Sequence, residues 1–471
     1  MAIERSLSRM PHAIVQQAQP ALEFIPPDYQ PWLHRLVKLV LPFLLRAQKI
    51  QRVEATGIEE LAGLLAQFQA RQVRLILAFR HPSTQAPLVL AHLLWKTIPT
   101  VARHNHIPLR SPVHSQFLYD RGIPIWAGQF TGWVLSKLGG IPIQRGKLDR
   151  TALKTARDRL VNGNFPLAIA PEGATNNHSE ILSPLEPGIA QLAFWCCDDL
   201  AADDRAEAVV IVPIGLQYPF VNKQDWHAID HLLTELEQDL NLSSLLPSSI
   251  DDPAARRYAR LARLGLQMLT TFETFYREAY GQTLDPNPAD PATASTAYPD
   301  FARRLQQLRE VALSVAESHF NLPAKGSISD RCRRIEQAGW DRIYRDDLDQ
   351  LSLVARGLAD WNATEASIRM GHMRLVEHFA AVSGSYVREK PTIDRYAEVL
   401  TIMARAIAWT QGRSPQSVSK LSQRIAKLQI GQPINVSDRY LDYRQNRRSA
   451  IEQLTCDLTN RLEQSIQTST H

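Results

Sequence analysis

The sequence predicts an α/β protein with a mainly parallel β-sheet flanked by helices, accompanied by a large all-helical region. Short, nearly continuous apolar runs such as VRLILAF (73–79) and AVVIVPIGLQY (208–218) are typical of strands buried on both faces. Segments with apolar residues at helical spacing alternate with these runs, which favours parallel strand pairing. Residues 228–423, in contrast, have a helical pattern almost throughout.

The individual elements follow from these patterns. We expect strands within 73–79, 122–128, 139–146, 165–173 and 208–218, and helices at 86–97, 149–162 and 188–197. In the helical region we expect helices at 253–281, 300–320, 328–358, 362–383, 391–411 and 415–427. The Pro- and Ala-rich segment 284–299 predicts a linker or an exposed loop. A strand-like run returns at 426–436, and a last helix is expected at 438–467.

Basic residues are concentrated in the N-terminal third of the chain. Residues 1–150 contain 18 Lys and Arg against 8 Asp and Glu, although the formal net charge of all 471 residues is only +5. Such a region suits an anionic partner, such as a phosphate-bearing substrate or acidic lipid head groups. The basic residues are scattered and match no nucleic-acid-binding motif, so we expect no nucleic-acid partner.

Four cysteines and the N-terminal residues bear on the cellular compartment. The spacing of the cysteines is typical of neither a metal site nor a redox site, so we expect no metal and a reducing compartment. The N-terminus lacks the apolar segment of a signal peptide, and no apolar run reaches the ~18 residues needed to cross a bilayer. We expect a cytoplasmic protein that associates peripherally with the cytosolic face of a membrane.

Residues 29–50 suggest how that association occurs. Apolar residues dominate this segment, four basic residues flank them, and no acidic residue is present. This composition is typical of a helix in a membrane interface, with its basic edge toward anionic lipid. A helix of the domain core is the alternative interpretation, and Pro42 is expected to kink the helix in either case.

Polar residues follow several predicted strands at the points where those strands end. His81 follows the first strand, and a histidine there is a candidate general base because its pKa lies near working pH. Arg145 follows another strand, and its guanidinium can hold a phosphate through two parallel hydrogen bonds. Glu172 and Gly173 lie in a turn after a third strand, where the glycine permits close backbone approach to a ligand.

In order and spacing, four blocks resemble those of the phospholipid/glycerol acyltransferase family. These blocks are RHPSTQA (80–86), GGIPIQRG (139–146), APEGATN (170–176) and VIVPIG (210–215). The resemblance covers residues 70–220. It implies the mixed, mainly parallel sheet of glycerolipid acyltransferases, and a 1-acylglycerol-3-phosphate acyltransferase-like reaction in phospholipid biosynthesis.

The resemblance also implies roles for individual residues. His81 is the implied catalytic base, and Arg145, Pro171, Glu172 and Gly173 are the implied substrate-binding residues. The acyl donor is acyl-CoA or an acyl carrier protein, the acceptor is a lysophospholipid or glycerol phosphate at a membrane surface, and no further cofactor is implied. Backbone N–H groups near Pro171–Gly173 are expected to stabilise the oxyanion.

The chain departs from the family at one position. The family has an aspartate five residues after the histidine, and this chain has Ala86. That aspartate is thought to orient the imidazole, and its loss in a comparable dyad costs about 10⁴ in turnover. Another carboxylate could replace it, with Asp120, Asp149 and Glu172 as candidates. Otherwise His81 acts slowly alone, or the domain only binds lipid or serves as a scaffold.

Domain organisation completes these expectations. We expect an N-terminal arm (1–28), an acyltransferase domain with an N-terminal membrane-interface helix (29–226), a helical domain (227–423), and a return strand with a C-terminal helix (424–471). The late run LQIGQPINV (428–436) resembles a further strand of the family, which favours an insertion over a separate C-terminal domain. Trp340, Trp361 and Trp409 are expected to pack in the core of the helical region.

Overall fold

Two compact units make up the chain. The computed structural model describes residues 15–144, 149–222, 226–242, 251–284, 298–379, 385–413 and 421–466. One unit combines Glu23–Val221 with Ser422–Thr470, and the other combines Asn222–Leu421 with the N-terminal segment up to Leu22. In sequence, the larger part of the second unit, Asn222–Leu421, therefore lies between two segments of the first. Arg145 and most of the predicted linker 284–299 lie outside the described residues.

The first unit is an α/β structure. Its first segment contains strands β1 (Ile50–Thr56), β2 (Val73–Phe79), β3 (Gln116–Asp120), β4 (Ile141–Ile143), β5 (Leu167–Ile169) and β6 (Ala208–Gln217). Its helices are α1 (Pro31–Ala47), α2 (Ile58–Gln69), α3 (Ala86–His92), a π-helical stretch (Leu93–Thr97), α4 (Ile98–His104), α5 (Ile123–Ala127), α6 (Gln129–Lys137), α7 (Arg150–Asn162) and α8 (Gly188–Ala202).

The second unit is almost entirely helical. It contains α9 (His227–Asp239), α10 (Pro253–Tyr280), α11 (Tyr298–Phe320), α12 (Ile328–Ile343), α13 (Leu353–Phe379), α14 (Ser385–Glu389) and α15 (Ile393–Thr410). The last part of the predicted N-terminal arm belongs to this unit, because Gln19–Pro20 pairs in parallel with Tyr344–Arg345.

The chain then returns to the sheet of the first unit. Strands β7 (Arg424–Ile430) and β8 (Ile434–Asn435) precede helices α16 (Tyr440–Gln445) and α17 (Arg447–Gln464). The strand order is β1-β7-β6-β2-β5-β3-β4, and β8 pairs with β6 beyond the end of β7. Strands β6, β2, β5, β3 and β4 are mutually parallel, whereas β7 runs antiparallel to β6. The predicted fold class, a mixed and mainly parallel sheet flanked by helices, is confirmed.

Helices cover both faces of this sheet. Strand β2 is buried along its whole length, and its alternate residues enter two different apolar clusters. Leu75, Leu77 and Phe79 pack with residues of α1 to α4 on one face. Ile76 and Ala78 pack with α7, α8 and α17 on the other. Burial on both faces explains why β2 and β6 are continuous apolar runs in the sequence.

One predicted strand is wrong. Within residues 122–128, Ile123–Ala127 form the short helix α5, and the strand of this region is β3, which ends at Asp120. Pro124 lies in the first turn of α5, where its missing N–H costs no hydrogen bond. The Asp120 carboxylate accepts a hydrogen bond from Gly122 N at 2.7 Å, which fixes the turn between β3 and α5.

Three assignments in the later part of the chain also need correction. The predicted helix 328–358 is divided, because α12 ends at Ile343 and α13 begins at Leu353. The predicted helix 415–427 is wrong in its last residues, since β7 begins at Arg424. Trp340 is buried as expected, but Trp361 is exposed on α13. No helix in the described part of the chain is both long enough and apolar enough to span a membrane.

A cluster of aromatic and imidazole rings anchors the start of α1. The hydroxyl of Tyr29 lies 2.6 Å from His34 Nδ1, and Trp95 Nε1 donates to His114 Nδ1 at 3.1 Å. His114 Nε2 lies 2.8 Å from the carbonyl oxygen of Leu138. Burial lowers the pKa of His34 to about 4 and that of His114 to about 3. Both imidazoles are therefore neutral near pH 7.

These two histidines predict a loss of stability in mild acid. Their folded-state pKa values lie below the unfolded value of 6.5, so the stabilisation is complete above pH 6.5 and is lost as pH falls toward 4. Each histidine contributes a slope of about 1.4 kcal/mol per pH unit in that range. We expect His114→Gln to flatten the dependence of the unfolding free energy on pH. An unchanged slope in urea titrations between pH 7 and 5 would contradict this assignment.

The C-terminal segment should contribute strongly to the stability of the first unit. Leu454 on α17 is fully buried in the cluster that also contains Phe194 and Tyr443. We expect Leu454→Ala to lower the unfolding free energy by about 2–5 kcal/mol, because it leaves a cavity in a packed core. Leu441→Ala removes the same atoms from an exposed position and should change it by less than about 0.5 kcal/mol. Equal effects in chemical denaturation would show that α17 does not support the core.

Candidate active site

The carboxyl ends of three adjacent strands bring four of the five predicted site residues together, namely His81, Pro171, Glu172 and Gly173. His81 lies two residues beyond β2, and Pro171–Gly173 lie just beyond β5, which pairs directly with β2. On the other side of β2, the Arg80 N–H donates to the Ile214 carbonyl of β6 at 3.0 Å. The first, third and fourth blocks of the sequence therefore meet at one edge of the sheet.

Glu172 joins the loop after β5 to the loop after β2. Its Oε1 accepts a hydrogen bond from the backbone N–H of His81 at 2.8 Å. Its Oε2 accepts from Ser183 N at 3.0 Å and from Asn176 Nδ2 at 3.1 Å. The carboxylate is buried, and burial raises its pKa, opposed by the charge of Arg80 and by these N–H donors. Glu172 thus holds the backbone of His81 in place.

Arg80 makes the reciprocal connection. Its guanidinium is fully buried and donates to the carbonyl oxygens of Ser179 and Ile181, each at 2.5 Å, and of His178 at 3.3 Å. A buried guanidinium needs such acceptors, because each unpaired N–H in an apolar environment is costly. The histidine loop and the Pro-Glu-Gly loop are therefore joined in both directions, from Glu172 to His81 and from Arg80 to the segment 178–181.

The Pro-Glu-Gly turn depends on its glycine. Gly173 has φ of +70°, a conformation that glycine adopts without a steric penalty, and its N–H donates to the Ala170 carbonyl at 3.2 Å. Pro171 has no N–H, and its carbonyl accepts from Glu186 N at 2.8 Å. Two of the three residues expected to supply oxyanion N–H groups therefore have other backbone roles in this structure.

The candidate carboxylates lie in different surroundings. Asp149 is the N-cap of α7, accepts a hydrogen bond from Ala152 N at 3.1 Å and pairs with Arg121. Asp120 caps the turn before α5. Glu172 is the one of these three whose contact with His81 is described, and that contact is with the backbone rather than the imidazole. The His81 ring itself packs edge-on against Phe79, with centroids 5.9 Å apart.

Ala86 occupies an apolar position. It is fully buried at the first residue of α3, in the apolar cluster that α1 to α4 form with one face of the sheet. Its N–H donates to the Ser83 carbonyl at 3.0 Å. The neighbouring Gln85 is also buried and makes polar contacts of its own. Its Oε1 accepts from Ser83 Oγ at 2.7 Å and from Arg424 Nη2 at 3.0 Å.

Several of these residues could not be selected from the sequence. The acceptors of Arg80 lie about one hundred residues later in the sequence, and Arg424 follows the helical unit in the sequence. A signal for Arg80 was present, since a charged residue directly follows a strand that is buried throughout. The side chain of Arg145 lies outside the described residues, and its strand β4 is separated from β2 by β5 and β3.

A comparison with known protein families matches the part of the chain that forms this arrangement. The family model described as Acyltransferase matches residues 52–217, about a third of the chain. Residues 52–217 are an acyltransferase-family domain. The match includes β2, His81, the Pro-Glu-Gly turn and β6, and it supports acyltransferase activity that uses an acyl donor and a lipid acceptor. No curated protein sequence matches the chain.

A conservative change at Glu172 should damage the acyltransferase site. Glu172→Gln replaces one carboxylate oxygen with an NH₂ group that faces N–H donors, and a buried unsatisfied donor costs about 1–3 kcal/mol. We expect turnover to fall about tenfold or more and the unfolding free energy to fall by a similar 1–3 kcal/mol. Glu60→Gln, on the exposed first turn of α2, is the matched control. Wild-type turnover and stability in Glu172→Gln would contradict a positioning role.

Proposed function

We propose that this protein transfers a fatty acyl group from a thioester donor to a hydroxyl of a glycerol-phosphate-type lipid, as 1-acylglycerol-3-phosphate acyltransferases do in phospholipid biosynthesis. Acyl-CoA or an acyl carrier protein is the donor, and a lysophospholipid or glycerol phosphate is the acceptor. The observation that carries the proposal is the position of His81, held by Glu172 at the carboxyl ends of β2 and β5 within the acyltransferase domain.

In the proposed reaction, His81 acts as general base and then as general acid. The imidazole accepts the proton of the acceptor hydroxyl while the oxygen attacks the thioester carbonyl. The tetrahedral intermediate collapses with cleavage of the carbon–sulfur bond, and the imidazolium returns the proton to the departing thiolate. The products are the acylated lipid and a free thiol. Arg145 is the proposed ligand of the acceptor phosphate, and Pro171, Glu172 and Gly173 shape the acceptor side of the site.

The position of α1 supports a lipid acceptor. Gln48, the residue after α1, accepts a hydrogen bond from Gln85 Nε2 at 3.3 Å, so this helix ends beside the histidine loop. The residues flanking that end include Arg46 and Lys49, both exposed. A phosphorylated lipid held near α1 would therefore approach His81 from a basic surface. We place the protein on the cytosolic face of a membrane, associated peripherally.

The second candidate function is lipid binding or scaffolding without catalysis. Ala86 favours it, because a methyl group in an apolar cluster stands where the family has a carboxylate. Without that group, the protonated imidazole of His81 loses a stabilising charge. The retained Glu172 and Arg80 network would then maintain a binding surface rather than a catalytic geometry.

Acyl transfer to lysophosphatidic acid by the purified full chain separates the two functions. With labelled acyl-CoA and acyl carrier protein donors, we expect transfer by wild type and a loss of at least about 10²-fold in His81→Ala, since the general base is removed. His104→Ala removes an exposed histidine at the end of α4 and should leave transfer unchanged.

The variant Ala86→Asp extends the same experiment. A higher rate of acyl transfer than in wild type would measure how much activity the chain loses without the carboxylate. An inactive but folded variant would show that a charge at this apolar position does not support catalysis. Transfer that persists in His81→Ala would refute the proposed base. Absence of transfer in wild type, with lysophosphatidic acid bound by both wild type and His81→Ala, would favour the binding function.

A further inference from the structure

Helix α1 has two apolar stripes, and only one of them packs against the protein. Leu33, Leu41 and Leu45 are buried on the inner side. A second stripe at helical spacing faces outward, with Trp32 54%, Leu39 71% and Phe43 65% exposed. Surface helices of globular proteins normally present polar residues on that side, so the outer stripe of α1 calls for an apolar environment.

Helix α6 continues the same exposed surface. Phe130 is 74% exposed and stacks on Trp133 with ring centroids 5.7 Å apart. Trp133 in turn lies against Trp32 of α1, with centroids 6.3 Å apart. The two helices are therefore joined through a tryptophan pair into one apolar surface. We call this surface the docking face and define it by Trp32, Leu36, Leu39, Phe43, Phe130 and Trp133.

The charges around the docking face favour anionic lipid over a protein partner. Arg35, Lys38 and Arg46 are all exposed on α1, and the helix contains no acidic residue. Tryptophan rings together with basic side chains are the residues that stabilise helices in the head-group region of a bilayer. Basic residues near an anionic membrane surface each contribute favourably to binding, and salt screens that contribution.

We propose that the docking face inserts into one leaflet of an anionic bilayer, with α1 in the plane of the interface and Phe130 and Trp133 of α6 as a second contact. The link between this surface and a lipid acceptor rests on the proposed function. Binding to the bilayer does not require catalysis and can be tested separately. Both helices of the docking face are close to the predicted site. Helix α1 ends at Gln48 beside Gln85, and α6 directly follows α5, which comes after the carboxyl end of β3. The lipid surface would therefore border the sheet edge that carries His81.

Cosedimentation of the full chain with vesicles tests the proposal. The vesicles contain phosphatidylcholine alone or phosphatidylcholine with phosphatidylglycerol. We expect binding to the anionic vesicles, a reduction of about tenfold or more in the double variant Phe130→Ser/Trp133→Ser, and a similar reduction in Leu39→Ser/Phe43→Ser. Arg35→Gln/Lys38→Gln should remove most of the preference for anionic lipid and weaken the dependence on salt.

The chain offers a matched control in Trp361→Ser. This tryptophan is 68% exposed but lies on α13 of the helical unit, outside the docking face. Its substitution should leave vesicle binding unchanged, and thermal unfolding monitors the folding of every variant. Equal binding by wild type and the folded α6 variant, or an equal loss in Trp361→Ser, would overturn the proposal. So would self-association in analytical ultracentrifugation that disappears in the same variants, since a second copy would then cover the face.

Failure of docking and failure of the proposed function give different results. If only docking is wrong, acyl transfer to a water-soluble short-chain acceptor persists and vesicle binding is absent in wild type. If only the acyl transfer is wrong, the vesicles are bound with the expected pattern of variants and no acceptor is acylated. A docking variant that loses transfer to vesicle-bound acceptor, but not to the short-chain acceptor, would support both.

Discussion

The hydrogen bond from the His81 backbone to the buried carboxylate of Glu172 connects two loops that are about ninety residues apart in sequence. Parallel pairing of β2 with β5 brings the two loops to the same edge of the sheet but leaves their conformations open. Glu172 and Arg80 remove that freedom, because each side chain satisfies backbone groups of the opposite loop. A charged hydrogen bond in a buried site contributes more than a neutral one, and removing one partner leaves the other unsatisfied. The geometry at His81 therefore depends on this pair.

Much of the first unit could be predicted because its two central strands, β2 and β6, are buried on both faces. The apolar runs of β2 and β6 are unambiguous in the sequence, and the return strand β7 was visible as the run beginning near residue 426. Strand β3 was missed because Gln116–Asp120 is short, partly polar and only half buried. The apolar residues 122–128 predict a strand instead, because so short an apolar run is compatible with either a strand or a five-residue helix. Tertiary context decides between them.

The candidate site was predictable to a lesser degree. The four blocks located His81 and the Pro-Glu-Gly turn, and parallel pairing of their strands implied that they would be neighbours. The role of Glu172 toward the His81 backbone depends on loop geometry that no local pattern encodes. The same holds for Trp361, whose helical spacing suggested burial although α13 exposes it. Periodicity shows that a helix has an apolar side, but not whether another element covers that side.

The point in the sequence where the helical unit is inserted lies between two paired strands of the sheet. Strand β6 ends at Gln217, and β7 begins at Arg424 as its antiparallel neighbour, with Phe220 bridged to Arg424 at the base of the excursion. This pairing keeps the chain before and after the intervening 222–421 segment together. The entropic cost of closing such a segment grows only slowly with its length, so the insertion of a folded unit here adds little to that cost. Arg424 also donates to Gln85 in the histidine loop. The start of β7 is thus hydrogen-bonded to the loop that carries His81, and the position of Gln85 depends on Gln48 and Arg424, which lie far apart in the sequence of the first unit.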